Sequence, residues 1–320
     1  MTKTNDLLDP KNDYVFFRIF SEDPELLIDL INAVRADQPP ITEITLLDAR
    51  LTPERIQGKR LVLDLRGIDE QGRRYNIEIQ VRRFPFWASR AMMYLARLYS
   101  EQLDAGNDYQ EAQPVIGIHL LDFDLFQEEP GDQDNALWRF DTYDHQNARS
   151  LGHIMELNIV ELRKADRLGQ LPERLSAWIA YFEHWNEDDV MNNLAHPPIQ
   201  KARAKLRAMS ADEEERYWAE SRARALSDEV TMLNAARREG REEGREQGRE
   251  EGREQGAIAS TRRTLLRLTH RRFGEAAAEH ARALLETITA ADRLEELADE
   301  FILCADTDAW LAALRTAAKQ

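Results

Sequence analysis

The stretch "LVLDLRGIDEQGRRYNIEIQVRR" (residues 61–83) sets Asp64 and Glu78 inside two runs that otherwise read as half-buried strands. Strands disfavour Asp and, less strongly, Glu, because neither gains from packing on a pleated apolar surface. Side chains alternate faces along a strand. Leu61, Leu63 and Leu65 therefore share one face of the first run, and Val62, Asp64 and Arg66 the other. In the second run Tyr75, Ile77, Ile79 and Val81 share a face, opposite Asn76, Glu78 and Gln80. The intervening "IDEQGRR" carries turn residues. An antiparallel hairpin centred on Gln71 sets Asp64 directly across from Glu78, with Cβ atoms about 4.5–5.5 Å apart. A one-residue shift of the turn breaks that register.

Facing carboxylates repel and destabilise a sheet unless something offsets their charge. A divalent cation does so, and Mg²⁺ in particular favours oxygen ligands from one or two carboxylates, waters and phosphate oxygens. The surrounding charge agrees. The chain is acidic, at −16 overall, yet residues 48–97 hold eleven Lys/Arg against six acids, +5 in a stretch whose complement carries −21. A local positive field is what phosphate binding needs. Together these features point to metal-assisted phosphodiester hydrolysis. The plainer readings are that Arg66 or Lys59 pairs with the two acids and that the arginines solvate strand faces. A glycosidase carboxylate pair fits a basic surround poorly. The seven histidines show no HExxH-like spacing, so zinc is not expected, and no P-loop or GxGxxG is present.

Outward from the hairpin, "NDYVFFRIF" and "PELLIDLINAVRA" read as short amphipathic helices, with Asn12 or Asp13 capping the first. Residues 41–51 read as a strand, 86–103 as a helix and 114–126 as a buried strand, with "LWRFDTYD" and "HIMELNIVEL" as further strands. The 320 residues suit two or three domains. No apolar run approaches the ~20 residues needed to span a bilayer, and "MTKTNDLLDPKND" is too polar for a secretory signal. The single cysteine, Cys304, excludes a disulfide framework and fits a reducing cytoplasm, the expected location.

From about residue 170 the chain turns helical and rich in Ala, Glu and Arg. Residues 171–239 read as a helical extension and 257–320 as a small helical domain. Between them "GREEGREQGREEGREQG" places Gly240, Gly244, Gly248, Gly252 and Gly256 at a period of four. Each glycine costs a helix about 0.5–1 kcal/mol relative to Ala, so 240–256 reads as a weak helix or a charged linker. Paired with another helix, the glycine row allows close approach, which makes a homo-oligomer a partner expectation. The charged composition rules out a membrane dimer.

The order helix, strand, Asp-bearing strand, Glu-x-Gln strand, helix, strand resembles the PD-(D/E)XK nuclease superfamily. More narrowly, "DPKNDYVFFRIF", "LVLDLRGIDEQGRRYNIEIQ", "RAMMYLARLYSEQLDAGNDY", "PVIGIHLLDFDLF" and the "EGREEGREQG" tail resemble its bacterial recombination-promoting nuclease/putative transposase branch. The resemblance implies an α/β, restriction-endonuclease-like αβββαβ core over 1–170 with a mainly helical C-terminal extension. It also implies a Mg²⁺- or Mn²⁺-dependent DNA endonuclease tied to recombination or mobile elements, in which Asp64 and Glu78 hold the metal. Gln80 stands where the superfamily usually has lysine, so the alternative is an inactive nuclease-like DNA-binding or assembly protein. Asp13 is a weaker metal candidate, and Lys59, Arg66 and Arg90 are candidate DNA contacts by position.

Overall fold

A computed structural model describes residues 7–47, 64–103, 108–144 and 146–319. The hairpin forms as its turn chemistry dictates. β2 (Leu65–Asp69) and β3 (Arg74–Gln80) pair antiparallel, with Leu65 facing Ile77 and Arg66 facing Asn76, the register of a turn centred on Gln71. Gly72 adopts φ +81 there, a left-handed conformation that glycine reaches without strain. The Asp69 carboxylate accepts the Gln71 and Arg73 amides at 2.9 Å each, bonding its own turn. The strand expected at 41–51 appears as β1 (Ile44–Leu47), paired antiparallel with β2. Residues 48–63, including the first half of the strand expected at 61–67, lie outside the described residues.

Beyond β3 the pairing becomes parallel. The helix expected at 86–103, α3 (Trp87–Ser100), crosses to β4 (Val115–Leu121), which is buried at every position, as its run of apolar residues broken only by His119 requires. β8 (Met155–Glu161) lies parallel to β4, and β5 (Leu137–Asp141) closes the far edge antiparallel. The six-stranded mixed sheet thus runs β1-β2-β3-β4-β8-β5. The end of "LWRFDTYD" leaves it: Tyr143–Asp144 (β6) pairs with Arg149–Ser150 (β7) as a separate two-stranded unit.

Helices cover both faces. On one, Trp87, Ala91, Leu95 and Leu98 of α3 pack on Val115, Leu121, Leu157 and Ile159. Gly117 makes that approach possible, since a Cβ there would sit 3.0 Å from Leu157 and 3.1 Å from Leu95. On the other, α1 (Asp13–Ser21) and α2 (Pro24–Val34) pack on Tyr75, Ile77, Ile79, Ile116 and Ile118. Asn12 caps α1, accepting the Tyr14 and Val15 amides.

After β8 come α4 (Leu162–Leu168), α5 (Glu173–His184), α6 (Asp188–Asn193), α7 (Pro197–Ala211) and the 61-residue α8 (Glu213–Phe273). Leu175, Trp178, Tyr181, Phe182, Ile199, Leu206 and Ala219 join the same core as α1 and α2. Hence the boundary expected near 170 falls inside a compact unit, and the chain divides instead at Asp228/Glu229. The apolar stripes of α5 and α7 need the sheet domain to cover them. The second unit has its own core, in which α9 (Glu275–Thr287), α10 (Ala291–Leu303) and α11 (Thr307–Ala317) gather Leu285, Leu294, Phe301, Trp310 and Leu314 around Leu265. Residues 240–256 are helical and exposed throughout, and a Cβ on any of their five glycines would meet nothing within 4 Å. Among the described residues no helix is long and apolar enough to cross a membrane.

Candidate functional site

The β2–β3 register, continued by one residue, brings Asp64, which directly precedes β2, alongside Glu78 on the α3 face of the sheet. On the other side Glu78 is level with His119 of β4. Glu78 is 5% exposed. Gln80, two residues along the same face, donates its amide to Glu78 Oε1 at 2.5 Å, and His119 Nδ1 stands 3.5 Å from Glu78 Oε2. Trp87, the first residue of α3, meets the His119 ring edge-on, with centroids 5.3 Å apart at 88°.

The electrostatics follow from that crowding. Burial pushes the Glu78 carboxyl up to about 7, against the Gln80 hydrogen bond and the Arg90 charge, which favour the anion; Asp64 and Asp13 add to the rise. His119 is pushed down to about 4 by burial and by Arg90, so it is neutral at physiological pH. The place is rich in unmet polar groups: Gln80 Oε1, both His119 ring nitrogens, Arg90 Nε and Asn76 Nδ2 are buried without a hydrogen-bond partner. Buried orphans of this kind are uncommon in native interiors and concentrate where a ligand or solvent completes the set.

Of the residues singled out in the sequence, Asp64, Glu78 and Gln80 converge, and the charges of Asp13 and Arg90 reach the same carboxyl. Asp13 is committed elsewhere as well: Arg222 of α8 binds its carboxylate, and the Tyr14 amide donates to it at 2.8 Å. Arg66 shares the sheet face but extends toward Glu101 Oε2 at 3.8 Å. Lys59 lies outside the described residues. Two participants were not foreseen, His119 and Arg222. A lone histidine within the apolar run "VIGIHLL" was the signal for the first; nothing in the sequence marks the second.

The donor set can be tested against a metal. Among the described residues no group of three or more His, Cys, Asp or Glu is placed to hold a metal ion. Two carboxylates and the orphaned Gln80 Oε1 nevertheless match a hard cation that keeps several waters and takes its remaining ligands from phosphate oxygens. Among the described residues that touch Glu78, an imidazole-seeking metal finds one ring, the neutral His119. A family model described as PD-(D/E)XK nuclease family transposase matches residues 10–236. No curated protein and no solved structure matches the chain.

Proposed function

The chain belongs to the PD-(D/E)XK nuclease family of transposases, and from that membership and the Glu78 site we propose that it is a Mg²⁺-dependent DNA endonuclease serving recombination or mobile elements. The observation that carries the reading is the Asp64–Glu78 juxtaposition, in which a buried carboxyl raised to about 7 by desolvation and like charge stands to gain by receiving a cation. Asp64 and Glu78 hold the ion, with Gln80 Oε1 as a third oxygen. When bound, such an ion lowers the pKa of a water and screens the charge of the scissile phosphate. The protein's own groups do the rest. Gln80 fixes Glu78 Oε1 through its amide. The neutral His119 and the Trp87 ring close the floor against bulk water.

Purified full-length protein is expected to nick or cut supercoiled plasmid in Mg²⁺ and to stop in EDTA. Asp64→Ala and Glu78→Ala are each expected to lose about 10²-fold or more of the rate, because a missing ligand leaves the ion poorly held. Cleavage undiminished in both variants rejects the assignment.

The exposed glycine row favours a second reading for the C-terminal half, in which the repeat helix pairs with a second copy of the chain. Sedimentation of the full chain as a monomer at micromolar concentration rejects it.

A further inference from the structure

Hydrolysis of a phosphodiester spreads negative charge over the non-bridging oxygens, and fixed cations aimed at them are a main source of rate. Among the described residues, several cations near the Glu78 site are already committed to acids. Around that site stand Asp64 and Asp13, and the residue touching Glu78 along the strand is the neutral Gln80. Arg222 is bound to Asp13, and Lys11 and Arg163 are bound to Asp122, at 3.0 and 2.8 Å.

Arg90 is placed differently. It lies one turn beyond Trp87 on α3, and residues three apart on a helix share a face. Trp87 in turn contacts His119, which contacts Glu78. The Arg90 guanidinium lies 5.7 Å from the Phe84 ring centroid and 5.4 Å from that of Tyr94, so two rings fix its place. Its Nε is buried without a partner, while the residue as a whole is half-buried. A preset guanidinium with an unmet donor, beside acids it does not hydrogen-bond through that donor, suits an anion supplied from outside.

We infer that Arg90 is a catalytic residue of this site, its guanidinium contacting a non-bridging oxygen of the scissile phosphate and neutralising the charge that grows there. The inference rests on the nuclease reading and extends it. In the step, a water oxygen bonds to phosphorus and loses its proton to solvent. The bond from phosphorus to one deoxyribose oxygen breaks, and that oxygen leaves with the electron pair and is protonated by water. Arg90 stays cationic throughout.

The test is single-turnover cleavage of supercoiled plasmid by the full chain in Mg²⁺, titrated with protein so that maximal rate and half-saturating concentration separate. Arg90→Gln is expected to lower the maximal rate about 10²-fold while moving half-saturation less than about threefold. Arg90→Lys, which keeps the charge but not the planar, ring-stacked guanidinium, should recover part of that loss. A maximal rate for Arg90→Gln within about threefold of wild type, or a loss carried by half-saturation alone, overturns the assignment and leaves an ordinary DNA contact. Should Arg90→Gln not melt cooperatively, Arg90→Lys decides: retention supports the role, and a loss equal to that of Asp64→Ala overturns it. Failure of the underlying reading looks different, because wild type would then show no Mg²⁺-dependent cleavage, or Asp64→Ala would cut unimpaired.

Discussion

Glu78 couples the site to pH in a direction fixed by burial. Its carboxyl titrates near 4.5 when unfolded and near 7 when folded, so between those values the folded state holds a proton that the unfolded state has lost. The stability it contributes is complete below about 4.5 and declines as pH rises toward 7. His119 acts oppositely: lowered from 6.5 to about 4, it contributes fully above 6.5 and loses that contribution as pH falls through 4. From 4.5 to 6.5 the two slopes oppose one another, and above 6.5 Glu78 alone remains. In metal-free buffer, replacing Glu78 by Gln should therefore shift the stability gap from wild type in the variant's favour by on the order of 3 kcal/mol between about pH 4 and pH 8. Denaturant melts at the two ends of that range check it, and a gap independent of pH contradicts the burial argument. The same proton must leave before an ion binds, so Mg²⁺ affinity should climb as pH passes through 7, which calorimetry can follow. Much of this site is legible in the sequence, since parity and one local turn suffice to place Asp64, Glu78 and Gln80. His119 is not, because its level on β4 depends on how far α3 carries the chain before it returns. Arg222 is further still, arriving from a helix more than two hundred residues after Asp13.

Among elements, the hairpin was the readable part because its register is set by the four consecutive residues between β2 and β3. Parallel pairing of β3 with β4, and of β4 with β8, depends on side chains far apart in sequence, and the order across the sheet could not be read from any one strand. The repeat helix teaches the reverse lesson. Local propensity argued for weakness over 240–256, and the observed helix is continuous across it. Its flanks carry the register: Glu213–Glu215 sit in the first turn and His270–Arg272 in the last, both favourable to the helix dipole. Since added Cβ atoms would meet nothing, Ala at Gly244, Gly248 and Gly252 should strengthen the segment by about 0.5–1 kcal/mol each. Amide exchange in 240–256 should slow accordingly. If a second copy packs on that row, the same variant will dissociate at higher concentration than wild type, so sedimentation and exchange together separate the lone helix from the paired one. Orientation follows from the repeat. Arg lies one residue after each glycine except Gly256, and Glu or Gln one before each, on opposite flanks of the row. A parallel pair sets Arg across from Glu or Gln, and an antiparallel pair sets like across from like.

At the scale of the whole molecule, composition marked a change near residue 170, but the packing of the chain divides it at Asp228/Glu229. The discrepancy arises because a helical, Ala-rich segment looks the same whether it stands alone or covers a sheet. Trp178, Tyr181 and Phe182 are fully buried in the core that also holds Phe16 and Phe20. Trp178 also donates to the buried Asp29 carboxylate at 2.8 Å, where Arg174 and His196 meet it too. Ending the chain at 170 would strip that core of several aromatic side chains, each worth about 3–5 kcal/mol on truncation, and leave the buried Asp29 without Arg174 and its other hydrogen-bond partners there. A fragment of residues 1–170 should consequently aggregate or bind hydrophobic dyes without a cooperative melt. A fragment of residues 1–228 keeps those helices, the Arg18–Glu215 pair and the Arg222 clasp on Asp13. It should melt cooperatively and retain Mg²⁺-dependent cleavage within about tenfold of the full chain if two copies are not required, because every residue assigned to the site lies within it. A shorter fragment that folds and cuts as well as the longer one would show that the C-terminal helices are an appendage and not the second wall of the nuclease core.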